Sequence, residues 1–357
     1  MDDAHSHLVF FGLREQPFAP TADPLYFYAT REHKACLFRL WSSIDERHGI
    51  AVIVGNYGTG KTTLLRKLLI GMAADRERYT VAVLGSPIPS WTSFALLEAV
   101  VGQFGLSPAK PSFASYMGAL NQYLLTRRDH VNTLIIDDAQ NLNKRGQLEL
   151  LRLVQNLETH QHKLLNLIFF AQLEWLDVLR AAPNFEQRIN MTYTLQPIEL
   201  SETVHFVDFR LRQAGAAPDR APLFDEAAIR VIHAYAEGNP RVIVTLCRNA
   251  LLLSAHLKRR QIGPELILHT IEKTTVPNEE RRARAAAAAR EAARLSVPFV
   301  SGPRAVPAEA GRGGGGTSAI HDTAEPLSAS REKRASQLLL RAAAKTGQRT
   351  DDRLSSA

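Results

Sequence analysis

The sequence predicts an α/β fold, in which a parallel sheet is flanked by helices and is followed by an all-α subdomain and a disordered basic tail. Five short apolar runs rich in β-branched residues lie at 50–54, 80–84, 132–136, 166–171 and 192–195. Helical segments separate these runs, as expected for a parallel sheet that is covered on both faces. From Ser201 onward the apolar spacing is helical, and near residue 280 the composition changes sharply.

Four helices are predicted after the last strand, at 201–214, 225–236, 240–257 and 264–273. Ser201 and Asp225 are of the residue types that cap helix N-termini, and Gly215 and Gly238 are of the type that ends helices. We therefore predict an α/β domain at 1–199 and a helical subdomain at 200–278. A mostly disordered tail, rich in Ala, Arg and Gly, is predicted at 279–357, with isolated or transient helices expected at 280–295 and 332–345.

The positive charge of the chain is concentrated in this tail. The net charge is +7, and residues 281–357 hold 14 Lys and Arg against 7 Asp and Glu, which leaves 29 of each sign in residues 1–280. A neutral body does not indicate nucleic-acid binding. The tail could either contact DNA phosphates or be a solvated extension without a ligand.

Several classes of protein are excluded by the composition. No apolar run approaches the roughly 18–20 residues that a membrane-spanning helix needs. The acidic start at Met1–His5 is unlike a signal peptide. Cys36 and Cys247 are the only cysteines, so a disulfide framework is not expected and a reducing compartment is. We expect a cytoplasmic protein without an integral membrane segment.

A phosphate-binding loop follows the first predicted strand directly. Gly55, Asn56, Tyr57, Gly58, Thr59, Gly60, Lys61 and Thr62 fit the pattern G-x-x-x-x-G-K-[ST], and we call residues 55–62 the P-loop. The glycines let the backbone N–H groups point at phosphate oxygens, Lys61 would reach the β- and γ-phosphates, and Thr62 would ligate Mg²⁺. Thr63 is also expected to bind the nucleotide, because the helix that follows the loop presents its N-terminus to the phosphates. The cofactors predicted are therefore ATP and Mg²⁺.

An acidic pair completes the predicted site at the end of the third apolar run. Asp137 and Asp138 follow Leu134-Ile135-Ile136. Asp137 would hold the magnesium through water, and Asp138 would orient or deprotonate the attacking water. Asp-Asp after a strand could also be an ordinary turn, but the P-loop about 75 residues earlier favours the functional interpretation.

Several collinear segments resemble the ExeA-like family of AAA+ ATPases (general secretion pathway protein A), which is close to transposition ATPases and to the Orc1-like group. The resemblance covers residues 10–275 and is carried by the P-loop and by segments at 10–28, 135–142, 148–159, 164–175 and 237–254. It implies an AAA+ P-loop NTPase fold, with residues 200–278 as the lid over the nucleotide. It also implies self-association when ATP binds.

The resemblance implies three further site residues. Gln172 matches the sensor-1 position near the γ-phosphate, although a Gln at a strand end is often only a loop residue. Arg241 matches the sensor-2 arginine, whose planar guanidinium suits phosphate; the alternative is an exposed Arg that opens a helix. Arg188 matches the arginine finger that acts across a subunit interface, or else is a surface arginine.

This sequence departs from the family at two catalytic positions. Asp138 stands where relatives carry Glu, and the shorter side chain withdraws the carboxylate by about 1 Å, enough to slow hydrolysis about 100-fold. Thr192 stands where relatives often hold a second arginine. Upstream, Phe11-Gly12-Leu13 and Pro17-Phe18 resemble the segment beside the adenine, but they could equally pack without touching a ligand.

Three functions remain open from the sequence. The first is an ATPase that acts as a nucleotide-dependent switch on a protein partner or assembly, the partner being unknown. The second is a DNA-associated regulatory ATPase of the transposition type, in which the basic tail contacts DNA. The third is an ATP-binding scaffold that scarcely hydrolyses, as the Asp at 138 would favour. Because this sequence shows neither a transmembrane helix nor a peptidoglycan-binding domain, the secretion role of the relatives is not carried over.

Overall fold

The structure is a computed structural model, and it describes residues 6–21, 23–217 and 221–295. The chain divides into two compact units, residues 1–289 and 290–357. The predicted disordered tail lies outside the described residues, except that residues 279–295 form a helix. None of the helices in the described part of the chain combines the length and apolar character that crossing a bilayer needs.

A five-stranded parallel sheet forms the centre of the first unit, as predicted. Its strands are β1 Ile50–Gly55, β2 Tyr79–Leu84, β3 Val131–Ile136, β4 Asn166–Ala171 and β5 Ile189–Leu195, in the order β2-β3-β4-β1-β5. All four neighbouring pairs are parallel. The last strand begins three residues before the predicted run, because Ile189 already pairs with Ile50 of β1.

Thirteen α-helices are described. Those before β5 are α1 Ser6–Phe11, α2 Arg31–Asp45, α3 Lys61–Ala74, α4 Ser93–Gln103, α5 Phe113–Thr126, α6 Arg145–Gln155, α7 Trp175–Arg180 and α8 Pro183–Glu186. Those after β5 are α9 Leu200–Gln213, α10 Glu226–Ala236, α11 Pro240–His256, α12 Pro264–Thr274 and α13 Glu279–Leu295. The four helices predicted after the sheet are thus α9 to α12.

The sheet is buried on both faces, which explains why its strands are continuously apolar. Alternate residues of β1 belong to different cores: Val52 and Val54 pack with α4 to α7, and Ala51 and Ile53 pack with α2 and α3. The P-loop and the acidic pair both follow carboxyl ends of strands. In a parallel sheet these ends share one edge, so the fold brings the two motifs together.

A third core joins the N-terminal segment to the helices after β5. Phe11 and Phe18 are fully buried there, and the ring centroids of Phe18 and Phe224 lie 6.0 Å apart. The N-terminal segment is therefore part of the same packed body as α9 to α12. This arrangement places residues 19–28 between the helical core and the P-loop.

One predicted helix cap is confirmed and one is wrong. The Asp225 carboxylate accepts a 2.6 Å hydrogen bond from the N–H of Ala228 and caps α10. Helix α9, however, begins at Leu200, and the extended residue before it is Glu199, so Ser201 lies in the first turn and is not the cap. The Glu199 carbonyl already accepts from the N–H of Thr203, which starts the helical ladder two residues early.

Candidate nucleotide site

The P-loop can curl because glycine occupies three positions where a side chain would be strained or would clash. Gly58 and Gly60 have φ of +83° and +96°, and a Cβ on Gly55 would lie 3.1 Å from the carbonyl oxygen of Leu195. The Thr59 hydroxyl closes the loop by donating to the Asn56 carbonyl over 2.9 Å. Helix α3 starts at once with Lys61, so its free N–H groups face the loop.

Lys61 reaches back across the loop. Its Nζ donates to the carbonyl oxygens of Gly55 at 2.7 Å and Asn56 at 3.0 Å. Burial lowers the pKa of Lys61, and the carboxylates of Asp137 and Asp138 oppose this effect. The ammonium is therefore held by the loop carbonyls and is stabilised electrostatically by the acidic side chains.

Asp137 lies beside Thr62, as the predicted magnesium site requires. The Thr62 hydroxyl donates to Asp137 Oδ2 over 3.3 Å, and Asp137 Oδ1 accepts from the N–H of Asp138 at 3.0 Å. Desolvation raises the pKa of Asp137, with these hydrogen bonds and Lys61 opposing it. A hydroxyl and a carboxylate in contact are the oxygen donors that Mg²⁺ takes in nucleotide sites, so the residues fit this ion. When bound there, Mg²⁺ would neutralise phosphate charge.

Asp138 is held by two residues that sequence reasoning missed. Its backbone has φ of +50°, and its Oδ2 accepts from the hydroxyl of Ser86 at 2.7 Å. Its Oδ1 accepts from the Gln140 amide at 3.1 Å, and Gln140 Oε1 accepts from the N–H of Gln172 at 3.2 Å. Gln140 thus connects the ends of β3 and β4. The sequence offered one signal for Ser86: it follows the end of β2, and therefore lies at the same sheet edge as the acidic pair.

Residues 238–241 join α10 to α11 and include the first two residues of α11; this segment touches the P-loop, and we call it the lid turn. Asn239 Nδ2 donates to the Tyr57 carbonyl over 2.6 Å and Asn239 Oδ1 accepts from the N–H of Arg241. The Arg241 guanidinium lies 4.9 Å from the centroid of the Tyr57 ring. Lys61, Gln172 and Arg241 line one cavity of about 460 Å³.

The same cavity is lined by residues on the N-terminal side. Tyr26, Tyr28 and His33 contribute to its wall, whereas Phe11 and Phe18 lie in the helical core. The upstream segment thus reaches the cavity through residues 19–28 and not through its phenylalanines. Burial lowers the pKa of His33, a residue of α2 whose Nε2 lies 3.3 Å from the carbonyl oxygen of Thr59 in the P-loop.

Arg188 is not brought together with the other predicted residues. It donates to Asn156 Oδ1 over 2.6 Å and lies beside Arg152, Asn184 and Gln187 at a separate depression. It is absent from the lining of the 460 Å³ cavity. A role across a subunit interface stays a prediction.

Comparisons with known proteins agree on the family. Residues 44–179 match the family model described as an AAA domain. General secretion pathway protein A from Aeromonas hydrophila is 33% identical over 254 residues, which cover 68% of this chain and 44% of that protein. The chain therefore matches less than half of the length of this relative.

Similar solved structures support the fold. The Aeropyrum pernix ORC2 protein has a TM-score of 0.53 at 17% identity and covers 71% of this chain and 72% of its own. CDC6P from Pyrobaculum aerophilum has a TM-score of 0.51 at 18% identity, over 74% of this chain and 72% of its own. The solved structures support the fold, and the sequence match with the P-loop identifies the chain as a member of the ExeA-like family of AAA+ ATPases.

Proposed function

We propose that this chain binds ATP with Mg²⁺, hydrolyses the ATP to ADP and phosphate, and acts as a nucleotide-dependent switch on a protein partner or assembly. The observation that carries the proposal is the contact between the lid turn and the P-loop, with Asn239 bonded to Tyr57 and Arg241 over the Tyr57 ring. A nucleotide entering here meets both elements. We also propose that residues 1–199 act as the body, residues 200–278 as the lid, and residues 279–357 as the tail.

The residues divide into three roles. The P-loop N–H groups and Lys61 bind the phosphates, and the Thr62 hydroxyl with the Asp137 carboxylate holds the metal ion. Asp138 orients the attacking water and accepts its proton, because its oxygens lie at the same sheet edge as Lys61. Gln172 and Arg241 contact the γ-phosphate, so they distinguish ATP from ADP.

The switch follows from the two positions that Arg241 can take. Its guanidinium interacts with the Tyr57 ring, and a cation over an aromatic ring is worth about 0.5–2 kcal/mol. A phosphate oxygen is a stronger partner for a guanidinium. We propose that ATP draws Arg241 from the ring to the γ-phosphate and so moves the lid turn. This differential contact is what a two-state switch requires.

We propose that the ATP state self-associates and that Arg188 then acts on the site of a neighbouring copy. Its location outside the cavity supports this role, because a residue that serves a neighbour's site must lie on the surface. The exposed Asn184 and Gln187 beside it would belong to the same interface.

The first test is steady-state ATP turnover by the full chain, compared with Lys61→Ala and with Lys34→Ala, an exposed lysine on α2, as the matched control. We expect turnover that Lys61→Ala abolishes and Lys34→Ala leaves intact. Light scattering with ATP and with ADP measures self-association on the same samples, and Arg188→Ala should reduce ATP-dependent association or turnover. Tight Lys61-dependent ATP binding without turnover would instead support the weakly hydrolysing scaffold. Absence of ATP binding would refute the proposal.

A DNA-associated regulatory ATPase is the second candidate. It is favoured by the charge of residues 281–357, where 14 Lys and Arg face 7 Asp and Glu. Two proteins of similar structure, the Aeropyrum pernix ORC1 protein and Drosophila ORC, are bound to DNA in their solved structures. Turnover raised several-fold by duplex DNA, with an effect that falls steeply with salt, would favour this candidate. Turnover indifferent to DNA would direct the search to protein partners.

A further inference from the structure

Arg210 is a buried cation in the wall of the nucleotide cavity. It lies on α9, is 6% exposed, and lines the same cavity as Lys61. Its Cζ lies 5.3 Å from the ring centroids of both Tyr26 and Phe206. Its Nε and Nη1 have no hydrogen-bond acceptor among the described residues. No carboxylate of those residues forms an ion pair with it.

Such a side chain is unfavourable in the ligand-free protein. A buried donor without an acceptor destabilises the folded protein, and more so when the group is charged. Burial lowers the pKa of Arg210, and the nearby Asp23 only partly opposes this effect. Because a guanidinium stays charged in proteins, the charge is not removed by loss of a proton. Because Arg210 lines the cavity, a ligand bound there can supply an acceptor to the guanidinium.

The position of Arg210 indicates which part of a nucleotide it meets. The phosphate end of the cavity is defined by Lys61, Thr62 and the lid turn. The remaining wall is built by residues 19–28 and by α9, and it is largely aromatic there, with Tyr26, Tyr28 and Phe206. Aromatic and apolar surfaces with a few directed polar groups are typical of base-binding walls. Arg210 is a directed polar group in this wall.

We propose that Arg210 is a base-recognition residue, whose guanidinium is fixed by Tyr26 and Phe206 and donates a hydrogen bond to a ring nitrogen of adenine. This inference rests on the proposed binding of ATP in the cavity and adds the residue that holds the base. The two aromatic side chains restrict the guanidinium before the nucleotide arrives, so little side-chain entropy is lost when the bond forms. A hydrogen bond to a charged group corresponds to about 10- to 100-fold in affinity.

The test is calorimetric binding to the full chain and to Arg210→Met, with Arg212→Met as the control on the same helix, where Arg212 is exposed and pairs with Asp208. Each protein receives ATP and, separately, inorganic tripolyphosphate, which has phosphates but no base. We expect Arg210→Met to bind ATP about 10- to 100-fold more weakly and tripolyphosphate as the parent does. Arg212→Met should bind both ligands normally. Equal losses for ATP and tripolyphosphate would overturn the proposal, because Arg210 would then act on the phosphates.

A second measurement separates recognition from a structural role. Methionine fills a similar volume without a charge, so the thermal midpoint of ligand-free Arg210→Met should stay the same or rise. The increase in midpoint that ATP produces should shrink. A lower ligand-free midpoint with an unchanged ATP-induced increase would show that Arg210 only supports the fold.

Deaza analogues of ATP identify the bond itself. Each of the 1-, 3- and 7-deaza analogues lacks one ring nitrogen, and one of them should bind the parent chain about 10-fold or more weakly than ATP. Arg210→Met should not discriminate against that analogue. Discrimination that persists in Arg210→Met would refute the assignment. If the parent chain binds no ATP, the proposed function itself fails; if it binds ATP in a Lys61-dependent manner and Arg210→Met has no effect, only this inference fails.

Discussion

Replacing Gly58 with alanine places a methyl group at the contact between the P-loop and the lid turn. Gly58 has φ of +83°, and an added Cβ would lie 2.4 Å from Asn239 Oδ1 and 2.8 Å from the Cβ of Arg241. Since ordinary contacts begin near 3.4 Å, the lid turn has to retreat by about 1 Å or the loop has to distort. The hydrogen bond from Asn239 to the Tyr57 carbonyl, 2.6 Å long, is broken in either case.

The expected loss of stability follows from two contributions. A left-handed backbone at a residue with a Cβ costs about 1–3 kcal/mol. The broken hydrogen bond adds about 0.5–1.5 kcal/mol. We therefore expect Gly58→Ala to lower the free energy of unfolding by roughly 1.5–4.5 kcal/mol. Gly85→Ala is the matched control, because a Cβ on Gly85 meets nothing within 4 Å.

Urea unfolding of Gly58→Ala, Asn239→Ala and the double variant tests the reasoning. Asn239→Ala removes both the atom that the new methyl group meets and the hydrogen bond, so part of the damage is shared. The double variant should be more stable than the sum of the single losses predicts, by about 0.5–1.5 kcal/mol. Additive losses would refute the clash with Asn239, and an effect no larger than that of Gly85→Ala would refute the strain.

Three further changes probe other parts of the chain. Asp138→Glu should raise kcat by up to about 100-fold, because the carboxylate moves closer to the water; unchanged turnover would show that its length is not limiting. The folded protein should lose stability as the pH falls below about 6.5, since burial lowers the pKa of His33 and the unfolded chain takes up the proton first. His33→Gln should weaken that dependence in thermal unfolding at pH 5 and 8. Asp225→Ala should lower the free energy of unfolding by about 1 kcal/mol in urea, through loss of the cap on Ala228.

Local signals predicted most of the α/β body. The P-loop is recognisable because its conformation depends on glycines a few residues apart, and strands buried on both faces are uniformly apolar. Where the apolar pattern was weaker, the observed ends of strands and helices differ from the predicted ones. Residues 189–191 lie at the sheet edge and are partly exposed, so they did not form an apolar run. Ser201 has the right chemistry for a cap, but the chain turns into α9 before reaching it.

The site residues that belong to a short motif were predicted from the sequence. Those that reach the site from distant segments were missed. Lys61, Thr62 and Asp137 came from two motifs, and the structure places Thr62 in contact with Asp137 and Lys61 within their electrostatic reach. Ser86 and Gln140 hold Asp138 by hydrogen bonds that no spacing along the chain reveals. Each is an ordinary polar residue after a strand or in a short helical turn.

The amino-acid sequence by itself determined the parallel sheet, the P-loop and the acidic pair, because these depend on backbone preferences and burial patterns within short segments. Only the tertiary structure decided which side chains share the cavity. It buries Arg210 against Tyr26 and brings the lid turn onto Tyr57, although Asn239 and Tyr57 are 182 residues apart and Arg210 and Tyr26 are similarly distant along the chain. Contacts between segments so far apart depend on how the helical core packs against the sheet, and that packing is a property of the whole chain.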